Sequence, residues 1–177
     1  MNHEIVIAGF GGQGILFSGK VLVYAGMMEG HQVSWLPSYG PEMRGGTANC
    51  SVILSDNPIG SPIVNDPQVL VAMNLPSLDK FEKAILPNGI AFIDSTLITR
   101  KVARDDVTSY YIPATQIAND NGLKGLANIV MLGKVVREIG VMDMGSMERA
   151  LMKVIPERKR NMLEANLKAV GLGYEFK

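Results

Sequence analysis

The stretch AGFGGQG, residues 8–14, places Gly9, Gly11, Gly12 and Gly14 between the apolar run EIVI and a segment of helical periodicity. Glycine reaches backbone angles that a side chain forbids, so this spacing predicts a sharp strand-to-helix turn. Gly9-x-Gly11-x-x-Gly14 also fits the glycine fingerprint of dinucleotide-binding folds, in which N–H groups at a helix start receive a phosphate. The nicotinamide version needs an acidic residue at the end of the second strand, about twenty residues on, for the ribose hydroxyl. Here that strand ends SWLPSYG; Ser34, Trp35 and Leu36 carry no carboxylate, and Glu29 precedes the strand. A P-loop is excluded as well, because Ser18-Gly19-Lys20 runs in the wrong order and lies inside the helix. Two readings of the turn stay open: a purely structural connection, or a site for a phosphate-bearing ligand other than NAD.

Further along the chain, strand-like and helix-like segments alternate, which predicts a layered α/β domain. EIVIAG (4–9), QVSWLP (32–37), TANCSVILS (47–55), VLVAM (69–73), NGIAFIDST (88–96) and VTSYYIPA (107–114) read as strands. Residues 13–28 read as a helix stopped by Gly30, and LPSLDKFEKAIL (75–86) as a second helix with Pro76 in its first turn. Gly14 is expected to let the first helix pack closely on its strand. The connection 38–46 is too short for a crossover helix, so strand 47–55 should run antiparallel to its predecessor. The expected fold is a three-layer α/β/α domain with a mostly parallel, mixed sheet and a Rossmann-like first βα turn. Residues 1–177 are expected to form a single domain, with C-terminal helices over 127–171 packed on it. Those helices are 127–140, 146–155 with Ser146 as cap, and 156–171 with a Glu164–Lys168 pair.

The connection itself, SYGPEMRGG (38–46), is the second unusual stretch. Pro41 stiffens it, and Gly45 and Gly46 release it. Arg44 could clamp a phosphate or carboxylate with its planar fork, Tyr39 could stack on a ring, and Glu42 could pair with Arg44. The alternative is a wide connection with solvated charges. Because it starts at the carboxyl end of the second strand, it lies on the edge where α/β sheets bind ligands.

Catalytic constellations are missing. His3 and His31 read as solvated residues, and Cys50 as a small buried hydrophobe. No cysteine cluster suits iron–sulfur or zinc, and no nucleophile elbow is present. Asp94-Ser95-Thr96, at a strand end, is the best polar candidate; Asn65-Asp66 and Asp105-Asp106 read as turns. No catalytic or metal-ligating residue is assigned. Seventeen basic residues balance seventeen acidic ones, which gives no footprint for nucleic acid. The N-terminus reaches Gly9 too soon for a signal peptide, and no apolar run approaches a membrane span of about 20 residues. A soluble cytoplasmic protein is expected, and the single cysteine fits a reducing compartment. The eleven Met residues are read mainly as core filler.

Taken together and in order, GFGGQG, SYGPEMRGGTANCSVILSD, PIGSPIV, NLPSLDKF and ANIVMLG resemble the γ subunit of 2-oxoacid:ferredoxin oxidoreductases along most of residues 4–140. The version with YGPEMRGGTA and PIGSPIV looks most like the 2-oxoglutarate branch, with the 2-oxoisovalerate branch close and the pyruvate branch more distant. The resemblance implies a non-redox subunit of an assembly that converts a 2-oxoacid and coenzyme A into acyl-CoA and carbon dioxide, passing electrons to ferredoxin. It implies no cofactor held by this chain alone. Thiamine diphosphate, magnesium and iron–sulfur clusters would sit in partner α and β subunits and a ferredoxin-like subunit. Gly9, Gly11, Gly12, Gln13 and Gly14, with Tyr39, Glu42, Arg44, Gly45 and Gly46, would then contact coenzyme A. A stand-alone nucleotide-binding module or NAD(P)-dependent oxidoreductase is the alternative.

Overall fold

The computed structural model describes residues 2–38 and 47–177. Among them the chain runs β1 (Asn2–Phe10), α1 (Ile15–Met28), β2 (Gln32–Ser38), β3 (Thr47–Ser55), β4 (Val69–Ala72), α2 (Leu75–Phe81), β5 (Ile90–Asp94) and β6 (Thr108–Ile112). Then follow α3 (Ala114–Asp120), α4 (Ala127–Ile139), α5 (Met144–Val154) and α6 (Leu163–Glu175). The six strands form one mixed sheet in the order β2-β3-β1-β4-β5-β6. β3 runs antiparallel to both β2 and β1, while β1, β4, β5 and β6 run parallel. The short connection before β3 therefore dictated its direction as the sequence predicts.

Period-two alternation assigns the strand residues to two faces. Ile5, Ile7, Cys50, Val52, Leu54, Val71 and Phe92 enter a core shared with α1, α4, α5 and α6. Val6, Ala8, Leu70, Ala72 and Ile93 enter a second core, closed by Leu78 of α2 and by Ile85, Ile98 and Val107. Each fully buried Leu, Ile or Phe contributes roughly 1.5–3 kcal/mol. The layers are thus α/β/α, with most helices on one face. α4 and α6 approach so closely that a Cβ on Gly133 or on Gly173 would overlap the backbone of the other helix.

Several boundaries depart from the expectation. α3 is absent from it, because its seven residues, ATQIAND, are too short to establish a helical period. Helix 75–86 turns 3-10 at Glu82–Ala84. The segment expected as one helix from 156 is a 3-10 stretch, Glu157–Met162, interrupted at Lys159, before α6 begins. Lys168 reaches Asn121 O at 3.4 Å instead of pairing with Glu164. The cap of α5 is Asp143, whose Oδ1 accepts from Ser146 N at 2.7 Å; Ser146 itself is buried and donates to Glu29 Oε1 at 2.6 Å. Gly30 does end α1: Gly30 N–H reaches Met27 O and His31 N–H reaches Gly26 O, a Schellman closure. Methionine divides, with Met73, Met131, Met142 and Met147 buried and Met27, Met28, Met152 and Met162 exposed.

Candidate functional site

The glycine turn sits at the carboxyl end of β1, in the middle of the sheet. The positive φ angles fall on Gly12 (93°) and Gly14 (73°). Gly9 supplies the close approach, since a Cβ there would stand 2.6 Å from Gln13 Oε1 and 3.0 Å from Met73 Cβ. Gly14 does not serve strand packing as expected. Its neighbour is Asn128 at the start of α4, whose Nδ2 a Cβ on Gly14 would meet at 2.5 Å.

Gln13 braces this turn. Its Oε1 accepts from Phe10 N at 2.6 Å and its Nε2 donates to Met73 O at 3.0 Å, while Gln13 N donates to Phe10 O at 3.2 Å. The side-chain amide is occupied by backbone at both ends and ties the turn to the end of β4.

Two helices begin beside the turn. α1 has Gly14 as N-cap and α4 has Leu126; neither has a side-chain cap or an acidic residue in its first turn. Asn128 Nδ2 joins them by donating to Gly14 O at 3.1 Å and to Ser18 Oγ at 3.0 Å. Uncapped amides and two dipoles with positive ends side by side favour an anion. In front of the turn lies a cavity of about 360 Å³ lined by Gly12, Gln13, Met73, Leu97, Thr115 and Lys124 among others.

Asp94-Ser95-Thr96 has another task. Asp94 is buried and accepts from Thr96 N at 3.1 Å, Thr115 N at 3.4 Å and Thr115 Oγ1 at 2.5 Å. Thr96 Oγ1 accepts from Gln116 N at 3.1 Å. Together they satisfy amides at the start of α3, so these polar groups hold a helix in place. His31 is not a solvated residue: Nδ1 lies 3.1 Å from Asp56 Oδ1 and Nε2 3.3 Å from Val141 O. Cys50 is fully buried, and burial pushes its thiol up to about 12. Among the described residues, no group of three or more His, Cys, Asp or Glu could hold a metal ion. No helix among them is long and apolar enough to cross a membrane.

Tyr39, Glu42, Arg44, Gly45 and Gly46 lie outside the described residues. Their flanks are placed: Ser38 pairs with Asn49, and Thr47 pairs with Phe10, at the edge that carries the glycine turn. Sequence reasoning overlooked Asn128 as a site residue. The signal was available, a lone amide at the second position of α4, whose first seven residues, ANIVMLG, are otherwise apolar.

A glycine turn braced by glutamine, beside two helix starts without side-chain caps on a mixed sheet with one reversed strand, defines an α/β domain with no metal-holding cluster among its described residues. The chain belongs to the pyruvate ferredoxin/flavodoxin oxidoreductase family, whose model matches residues 4–176. It is 41% identical over 175 residues to the ketoisovalerate oxidoreductase subunit VorA of Methanothermobacter thermautotrophicus, covering 98% of this chain but 36% of that relative, so it spans about a third of that protein's length. It is 39% identical to the 2-oxoglutarate synthase subunit KorC of Methanocaldococcus jannaschii, covering 99% of this chain and 94% of that one. The keto/oxoacid ferredoxin oxidoreductase γ subunit of Geobacter sulfurreducens superposes with a TM-score of 0.84 at 30% identity, over 98% of this chain and 96% of that one.

Proposed function

We propose that this chain is the γ subunit of a cytoplasmic 2-oxoacid:ferredoxin oxidoreductase and shapes the approach of coenzyme A to the reacting centre. The observation that carries the reading is the pair of uncapped helix N-termini meeting at the glycine turn, inside the region the family model matches. Within this reading, thiamine diphosphate, magnesium and the iron–sulfur clusters belong to the α, β and ferredoxin-like partner subunits, and ferredoxin takes the electrons. This chain contributes no bond-making group. It binds and orients the anionic thiol substrate and seals the site against water.

The proposal assigns Arg44, Tyr39 and Glu42 to the same ligand, because the placed flanks of their segment, Ser38 and Thr47, lie at the edge that carries the glycine turn. For the oxoacid, 2-oxoglutarate is the reading favoured by the KorC relative, which this chain matches at nearly full length on both sides. The higher identity to VorA supports 2-oxoisovalerate as a second reading. The test is purification of the native chain with its partners, followed by ferredoxin-linked assay with 2-oxoglutarate, 2-oxoisovalerate and pyruvate. Coenzyme A-dependent reduction of ferredoxin is expected, fastest with 2-oxoglutarate. Arg44→Ala in that assembly should raise the Michaelis constant for coenzyme A about tenfold or more and leave that for the oxoacid nearly unchanged. An assembly that lacks this chain and keeps wild-type coenzyme A kinetics would overturn the proposal.

A further inference from the structure

Where α1 and α4 pack on the sheet, six residues enclose an internal void of about 10 Å³. They are Ile7 of β1, Ser18 of α1, Val71 of β4, Met73, and Asn128 and Leu132 of α4. All six are buried, and the most exposed of them, Asn128, keeps 6% of its surface. The void has room for one water and no second, and its sealed walls exclude a larger ligand. Four of the walls are apolar, so Ser18 and Asn128 decide what it holds.

Both polar walls have a hydrogen bond left to make. Asn128 Nδ2 donates to Gly14 O at 3.1 Å and to Ser18 Oγ at 3.0 Å. Gly14 O can only accept, which fixes the nitrogen of the amide on that side. Asn128 Oδ1 is buried and receives no donor. Ser18 Oγ accepts from Asn128 and keeps its own proton, for which the described residues offer no acceptor. An acceptor without a donor and a donor without an acceptor therefore line the same void. Each is unfavourable when buried unpaired. A void of this size with apolar walls alone stays dry, whereas two complementary polar groups are enough to hold a water.

We infer that the void is a binding site for one internal water, which accepts the Ser18 hydroxyl proton and donates to Asn128 Oδ1. With the direct bond from Nδ2 to Oγ, this water closes a ring that joins α1 to α4 twice. The same amide holds Gly14 O, so the ring stands directly behind the glycine turn and fixes the spacing of the two helix starts. This also gives a reason for an amide at position 128: an apolar side chain of similar size would satisfy the packing but neither Ser18 nor Gly14. The inference rests on the packing of α1 and α4 and not on the function proposed above.

An atomic-resolution crystal structure of the full chain tests it. A single density peak is expected in the void, about 2.7–3.2 Å from both Ser18 Oγ and Asn128 Oδ1. In solution, oxygen-17 magnetic relaxation dispersion counts the waters that tumble with the protein. Val71→Ile adds a methyl group to a wall of the void and should lower that count by one, with the fold retained by circular dichroism. A void without density, or density out of reach of either group, would overturn the inference. So would an unchanged count in a folded Val71→Ile variant. Where that variant does not fold, the crystal structure of the unaltered chain decides alone.

Discussion

A Cβ added to Gly14 would stand 2.5 Å from Asn128 Nδ2, so the starts of α1 and α4 meet at a point with no room for a methyl group. Gly14 also holds φ 73°. Two independent costs therefore meet at one residue, one steric and one conformational. Gly12 bears only the second, with φ 93° and nothing within 4 Å of an added Cβ.

Gly12→Ala should cost about 1 kcal/mol, and Gly14→Ala about 2 kcal/mol or more. Asn128→Ala combined with Gly14→Ala should recover the steric part alone. Urea unfolding of the variants measures the order, and equal losses at the two positions would contradict it.

The glycines of α6 carry opposite expectations. A Cβ on Gly173 would overlap Val130 O of α4, whereas one on Gly171 meets nothing within 4 Å. Gly173→Ala should destabilise by about 3 kcal/mol through forced separation of the helices. Gly171→Ala should stabilise by about 0.5–1 kcal/mol through helix propensity. A stabilising Gly173→Ala would mean that α4 and α6 do not pack in this way.

What the sequence discloses and what it withholds follow from range. The direction of β3 was legible because a nine-residue connection cannot carry a crossover, a purely local constraint. The glycine turn was legible because φ and close packing restrict residue type at Gly9, Gly12 and Gly14. Ser146 was misread as a cap because Asp143, three residues earlier, offers a better-placed acceptor. His31 and Asp94 drew attention as polar residues, yet their partners Val141 and Thr115 lie in distant segments. Lys20, Arg158, Lys159 and Asn166 line one cleft that had no sequence signature, because α1, the 3-10 stretch Glu157–Met162 and α6 come together only in the folded chain.

Cys50 should be inert in the folded chain. It is buried beneath Gly19 and Trp35, and burial pushes its thiol up to about 12. The thiolate is the reactive form. Reaction with a disulfide reagent at pH 8 should be negligible until denaturant is added, then yield one thiol per chain. Rapid labelling of native protein would show that α1 does not cover β3.

Glu82 ties the segment after β5 to α2. Burial raises its pKa, but hydrogen bonds from Arg100 and from Ala103 N–H outweigh this and leave it below the ordinary value of 4.5. A depressed folded value means that the contribution is complete above pH 4.5 and is lost as pH falls through the lower folded value. Glu82→Gln should cost about 2 kcal/mol at neutral pH. The gap between variant and wild type should close in acid. Melting temperatures measured from pH 7 to pH 3 check this, and a gap that widens in acid would reverse the assignment.

Gln13 offers the sharpest separation of bracing from ligand contact. Its amide accepts from Phe10 N at 2.6 Å and donates to Met73 O at 3.0 Å, so both ends hold backbone. Removing it leaves a donor on β1 and an acceptor at the end of β4 without their side-chain partner. Gln13→Ala should therefore cost about 1–2 kcal/mol of stability. The Phe10 amide should lose protection from hydrogen exchange, while the amide of Met73, which donates to Ala8 O at 2.9 Å, keeps its protection. Gln13→Glu preserves the acceptor and loses the donor, so the Phe10 amide should stay protected in that variant. In the assembly proposed above, a bracing role predicts that Gln13→Glu disturbs coenzyme A kinetics less than Gln13→Ala does. If both variants leave Phe10 exchange at the wild-type rate, the turn is held by its glycine geometry alone. Gln13 would then be free to serve a ligand.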